Sequence, residues 1–176
     1  MQFKAVLQEL ERWFQDHRFP FAVIGGLALH AYGISRPTYD LDLITVGEAQ
    51  GPVIAHLEAL GYETLHRSAG FSNHQHTDPA QGRIDLLYVR EETATQLFAD
   101  ARPRTLFATV TVPILRPEHL IALKLHAMHN DSERELQELA DIRALIEVPE
   151  IDPDLLRQTF RRRREEALYE RLRNHR

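Results

Sequence analysis

Apolar residues recur along this chain at two periods, one helical and one strand-like. Between residues 2 and 17, Phe3, Val6, Leu7, Leu10, Trp13 and Phe14 fall three and four apart, which predicts an amphipathic helix. FAVIGG then reads as a short apolar strand ending in Gly25 and Gly26, and LALHAYG as a helix closed by Gly33. LDLITV, YETLH, residues 71 to 77 and RIDLLYV are strand-like, and EAQGPVIAHLEALG, between the first two, is a helix closed by Gly61. TATQLFADA predicts a short helix and LFATVTVPIL one strand. Pro117 opens a helix running to about Met128, ERELQELADIRALIE forms another, and Asp152 and Pro153 start a last one containing Leu156, Phe160, Ala167, Leu168 and Leu172.

Helices and strands alternate to about residue 115, and only helices follow. The pattern predicts an α/β (α+β) core over residues 1–115, with a mixed sheet flanked by helices, and a helical C-terminal segment, 116–176, packed on it. The length of 176 residues suits one domain with such an appendage. With no cysteine, the chain has no disulfide, thiolate metal site or Cys nucleophile. The amphipathic N-terminus does not resemble a signal peptide and no apolar run approaches membrane-spanning length, so a cytoplasmic protein with no membrane partner is expected. The net charge of −5 is unevenly spread: from Arg157 to Arg176 there are eight Arg against three Glu. That basic end is either a foothold for nucleic acid or a solvated helix face.

Charge also interrupts the strand pattern itself. In RPTYDLDLITV, Asp40, Asp42, Ile44 and Val46 point to one face of a strand, while Leu41, Leu43 and Thr45 point to the other. Two neighbouring carboxylates repel each other, so a positive partner is expected, and a hydrated divalent ion such as Mg²⁺ suits the geometry. Asp85 interrupts RIDLLYV in the same way; it either joins the other two acids or pairs with Arg83 or Arg36. Gly25 and Gly26 precede a helix start, where backbone amides are free to meet a phosphate. Lys124 has Leu120, Ile121, Ala127 and Met128 as its helical neighbours, so its ammonium must snorkel, titrate or meet an anion, with Asp141 a candidate partner. The histidine pairs His74/His76 and His126/His129 have workable ligand spacing but no third ligand.

A phosphate cradle, three acids and a lysine are what phosphoryl or nucleotidyl transfer requires. No Gly-Lys-Ser/Thr follows the glycines, which excludes a P-loop, and protein-kinase signatures are missing. Gly25-Gly26 followed after thirteen residues by Asp40-Leu41-Asp42-Leu43 resembles the signature of the polymerase-beta-like nucleotidyltransferase superfamily. The wider set GGLALHAYGISRPTYDLDL, RPEHLIALKLHA and ELADIRAL is similar to the bacterial abortive-infection nucleotidyltransferases of toxin–antitoxin systems.

The resemblance implies the nucleotidyltransferase fold and transfer of NMP from an NTP to a hydroxyl acceptor such as RNA or a tRNA end, with a cognate antitoxin as partner. It implies that Gly25 and Gly26 contact phosphates, that Asp40, Asp42 and Asp85 bind Mg²⁺ or Mn²⁺, and that Lys124 contacts the triphosphate. Asp141 would then orient Lys124 or the acceptor, and Arg36 and Thr38 would hold phosphate or serve structurally. Two departures stand out: the family's second small residue is often Ser where this chain has Gly26, and the Lys-Asp pair usual before the last acid is missing from SERELQELADI. An antibiotic-modifying enzyme with a small-molecule acceptor, or a non-catalytic binding module, are the alternatives.

Overall fold

The computed structural model describes residues 2–174 and divides between Leu115 and Arg116 into two compact units. The first is built on a seven-stranded sheet. Its strands are β1 (Phe21–Val23), β2 (Asp40–Val46), β3 (Tyr62–Arg67), β4 (Phe71–His76), β5 (Arg83–Val89), β6 (Arg102–Leu106) and β7 (Val110–Ile114), in the order β3-β4-β5-β2-β1-β7-β6. β2 runs parallel to β5 and β1 parallel to β7, whereas the other neighbours are antiparallel. The sheet is therefore mixed, as the alternation of elements requires.

Helices α1 (Phe3–Asp16), α2 (Gly25–Ala31), α3 (Gln50–Ala59) and α4 (Glu91–Asp100) complete this unit. The apolar stripe of α1, with Val6, Leu7, Leu10, Trp13 and Phe14, is buried. Phe14 stacks on Phe21 at 4.6 Å and Trp13 on His56 of α3 at 5.3 Å. Because residues opposite one another across antiparallel strands share a face, α1 covers the side carrying Phe21, Val23, Leu43 and Thr45. Leu41, Leu43, Ile84 and Leu86 on that side are wholly inaccessible, which leaves the acidic residues on the other side of the sheet.

Two expected elements differ. LFATVTVPIL is not one strand: its first residue ends β6, Phe107 and Ala108 turn with φ of 51° and 61°, and β7 follows. Neither turn residue is Gly, Asn or Asp, so the hairpin lacks the sequence signal that such a turn normally carries. β6 itself, RPRTL, carries a proline tolerated at a sheet edge. The last helix is likewise two, α7 (Pro153–Arg162) and α8 (Glu166–Asn174), broken at Arg164 with φ 60°. The Glu165 amide donates to the Phe160 carbonyl at 2.9 Å, so a helix stop that usually takes Gly is made here by Arg.

Buried polar groups on the α1 side of the sheet are chained together. His74, fully inaccessible, has Nε2 2.8 Å from Ser72 Oγ and Nδ1 3.1 Å from Thr64 Oγ1, and Tyr88 Oη lies 2.6 Å from Ser72 Oγ. Burial lowers the His74 pKa below its ordinary value, outweighing the opposite pull of Glu58 and Asp85. The unfolded chain therefore binds this proton more readily, and stability contributed by neutral His74 is lost as pH falls below about 6.5. Urea melts from pH 7 to 5 should show this decline, at up to about 1.4 kcal/mol per pH unit, and His74→Gln should flatten it.

The second unit contains α5 (Pro117–Asn130), a 3₁₀ turn (Ser132–Arg134), α6 (Glu135–Ile146), α7 and α8. Leu120, Ile121, Leu125, Ile142, Leu145, Leu156 and Phe160 form its core. Asp152 caps α7, accepting from the Asp154 and Leu155 amides at 2.9 and 3.1 Å, and these bonds lower its pKa. The fully buried Glu118 accepts from Arg116 Nε at 3.2 Å and from the Asp152 amide, tying the start of α5 to the start of α7. No helix among the described residues is long and apolar enough to cross a membrane.

Candidate active site

The parallel pairing of β2 with β5 determines which acids meet. In this register Asp42 lies directly opposite Asp85 and Asp40 opposite Arg83, while β4 places Asn73 opposite Asp85. Strand alternation sends all of these side chains to the face away from α1, and all are half-buried. Asp40, Asp42 and Asp85 each offer a carboxylate oxygen, and the three atoms lie within 4.8 Å of one another. Among the described residues no other three metal-binding side chains converge in this way.

A donor set made only of carboxylate oxygens, with no His or Cys, fits a hard divalent cation such as Mg²⁺ or Mn²⁺. Asp85 also holds a cation of the chain's own: Arg83 Nε and Nη2 donate to Asp85 Oδ1 and Oδ2 at 2.8 and 2.7 Å. Both sequence expectations for Asp85 are thus met at once, the grouping of acids and the Arg83 pair. The Asp85 hydrogen bond pushes the Arg83 pKa up, and the charges of Asp85, Asp40 and Asp42 add to it against the cost of burial.

The glycine pair packs against Asp42 and the loop before it. β1 ends at Val23, the Ile24 amide donates to the Asp42 carbonyl at 3.0 Å, and α2 begins at Gly25 itself. Gly25 has φ 60°, and a Cβ there would stand 1.9 Å from Asp42 Oδ2 and 2.7 Å from Asp42 Cβ. Gly25→Ala should therefore cost about 2–3 kcal/mol through left-handed strain and displacement of Asp42, read as a lower urea midpoint with an unchanged m-value. At Gly26 a Cβ would lie 2.5 Å from Thr38 Oγ1. The Thr38 side chain fills the space that a side chain at this position would need. Thr38 Oγ1 donates to Asp40 Oδ1 at 3.2 Å, and Arg36 lies half-buried on the loop leading into β2.

Within the second unit, Lys124 meets an anion, as its apolar surroundings demand. Its Nζ donates to Asp141 Oδ2 at 2.6 Å and to Glu138 Oε2 at 2.8 Å, with all three side chains almost wholly buried. Gln137 Nε2 donates to Asp141 Oδ1 at 3.1 Å, and Arg134 Nη2 lies 2.8 Å from Glu138 Oε1. Glu138 is absent from the sequence-derived candidates. It precedes Asp141 by three residues and so shares its helix face, but the helix is rich in acids and only packing selects this pair.

A mixed sheet with two glycines opening the helix after β1, paired acids on β2 and a third acid on the adjoining β5 defines a nucleotidyltransferase. Residues 6–175 match the family of the nucleotidyl transferase AbiEii toxin, type IV toxin–antitoxin system, and the chain belongs to that family. No curated protein matches it. Among solved structures it is similar in fold to ANT(2")-Ia in complex with adenylyl-2"-tobramycin, with 15% identity over 93% of this chain and 97% of that one and a TM-score of 0.69. The lincomycin-bound lincosamide antibiotic adenylyltransferase LnuA gives 16% identity, 82% and 96% coverage and a TM-score of 0.59. An antigenic nucleotidyltransferase-like protein from Paracoccidioides brasiliensis gives 17%, 98% and 92%, and 0.57.

Proposed function

We propose that this nucleotidyltransferase is metal-dependent and moves a nucleoside monophosphate from an NTP to a hydroxyl of RNA, such as a tRNA end, as the toxin of a cytoplasmic toxin–antitoxin pair. The observation that carries the proposal is the convergence of three carboxylates within 4.8 Å beside a glycine that only a bare backbone can occupy. Asp40, Asp42 and Asp85 would hold Mg²⁺ or Mn²⁺, which supplies charge neutralisation of the triphosphate and activation of the attacking hydroxyl.

The chain's own groups do the remaining work. Gly25 lies against Asp42 and Gly26 against Thr38, and the amides at this start of α2 would meet the β- and γ-phosphates. Thr38 orients Asp40, and Arg36 on the same loop would contact phosphate. Asp85 takes the acceptor proton as the hydroxyl oxygen bonds to the α-phosphorus and pyrophosphate leaves. Lys124 gives two N–H groups to Glu138 and Asp141, which orient it, and a contact with the triphosphate is the role that the family resemblance implies for it.

RNA as acceptor is supported by the exposed run Arg161, Arg162, Arg163 and Arg164 at the end of α7, a set of guanidiniums suited to a phosphodiester backbone. A cognate antitoxin follows from the proposed toxin role. A small-molecule acceptor is the second reading, favoured by the fold shared with a lincosamide antibiotic adenylyltransferase and with ANT(2")-Ia, solved in complex with adenylyl-2"-tobramycin.

Incubation with Mg²⁺, each α-³²P-labelled NTP and total RNA, beside parallel reactions with lincomycin or tobramycin, separates the two. Label in a discrete RNA band supports the RNA acceptor. Label on a drug alone replaces it with the small molecule, and intact NTP in every reaction overturns the catalytic proposal.

A further inference from the structure

Arg83 is a positive charge built into a cluster of acids. Its Cα lies opposite Asp40 across β2 and β5, and its Nε and Nη2 engage both oxygens of Asp85. The two partners differ in freedom, since the Asp85 side chain is 13% exposed and that of Arg83 43%. The carboxylate is fixed by the sheet, whereas the guanidinium has room to leave. A second acceptor stands beside it: with its amide oxygen turned toward Arg83, Asn73 accepts from the same Nε and Nη2 at 3.2 and 3.0 Å.

We propose that Arg83 is the internal counter-cation of this site, a positioning residue that holds Asp85 until a divalent cation takes that carboxylate and then rests on Asn73. The proposal depends on Asp40, Asp42 and Asp85 being the metal site. Its physical basis is the conflict set by the sheet register. Asp42 and Asp85 face each other on adjacent strands with Asp40 two residues away, so their mutual repulsion must be offset before any metal arrives. The Arg83 fork offsets it and keeps Asp85 in its bound position. The same charge repels an incoming dication and occupies oxygens that the dication needs. Arg83 therefore orders the site and weakens its metal affinity together, whereas a side chain that merely props Asp85 would strengthen metal binding.

Mn²⁺ binding to the nucleotide-free full chain, read from the EPR signal of unbound Mn²⁺ at low ionic strength, distinguishes these roles. Arg83→Gln should bind Mn²⁺ about tenfold more tightly than the wild type, as removal of a unit charge a few ångströms from the ion requires. Arg83→Lys, which keeps the charge and loses the fork, should fall between the two and serves as the test if the Gln variant does not fold. Asp42→Asn should lose binding. Unchanged or weaker binding in both Arg83 variants, with binding still lost in Asp42→Asn, overturns the role of Arg83 and leaves the metal site standing. Wild-type affinity in Asp42→Asn overturns the metal site and the role of Arg83 with it.

Discussion

Asp42→Asn should reduce nucleotidyl transfer by about 10³-fold or more while leaving the fold intact or slightly stabilised. The substitution keeps the shape of the side chain and removes one negative charge from a group of three. Asp42 holds the central place in that group: it stands opposite Asp85, two residues from Asp40 on the same strand, and against the bare backbone of Gly25. An amide is a poorer ligand for a hard cation, so the metal proposed for these acids would lose affinity and the triphosphate its charge neutralisation. The folded chain is at the same time relieved of carboxylate repulsion, worth about 0.5–1 kcal/mol at a half-buried site. Transfer of label from α-³²P-NTP, measured beside a thermal melt, gives both quantities. Loss of activity with a raised or equal melting temperature is expected; undiminished transfer would remove Asp42 from the proposed machinery.

Lys124→Met should destabilise the chain by about 3–5 kcal/mol, an effect felt in the fold before any effect on catalysis. Methionine follows the course of the lysine stem but gives Glu138 and Asp141 no proton, leaving two nearly inaccessible carboxylates facing each other. Arg134 and Gln137 still reach their outer oxygens but do not replace the ammonium between them. The cost is that of uncompensated charge, and it should fall when the charge goes too. Lys124→Met combined with Glu138→Gln and Asp141→Asn should recover most of the stability in urea melts, because neutral partners do not repel and amides hydrogen-bond one another. If the single variant melts with the wild type, the buried trio carries no such energy. If the triple variant is stable yet inactive, a role of the trio in activity is separated from its role in packing.

The acids illustrate how far residue order goes. Alternation alone placed Asp40 and Asp42 on one face of a strand, because the side-chain period of an extended chain is two whatever surrounds it. That Asp85 joins them depends on β2 pairing parallel with β5 in one register, a choice made by the whole sheet: a shift of one residue would have turned Asp85 away. The glycine pair was visible as a break between strand and helix, but its reason, Asp42 and Thr38 filling the space of the missing Cβ atoms, exists only in three dimensions.

Lys124 shows the same division. Its apolar helical neighbours required an anion, and Asp141 was the acid within sight; Glu138 was indistinguishable from the other acids of its helix until α5 and α6 packed. The structure departs from the sequence pattern where turns use ordinary residues, Phe107 and Ala108 in the β6–β7 hairpin and Arg164 between α7 and α8. There left-handed backbone falls on side chains that do not advertise it.

By itself, then, the sequence determined element type, the acidic face of β2 and the need of Lys124 for an anion, since each follows from local periodicity or from the cost of burying charge. Only the tertiary structure decided which charges meet: Asp42 with Asp85, Arg83 with Asp85, and Lys124 with both Glu138 and Asp141. Such pairings join residues on different elements or select among chemically equal neighbours, and strand register and helix packing are properties of the assembled fold.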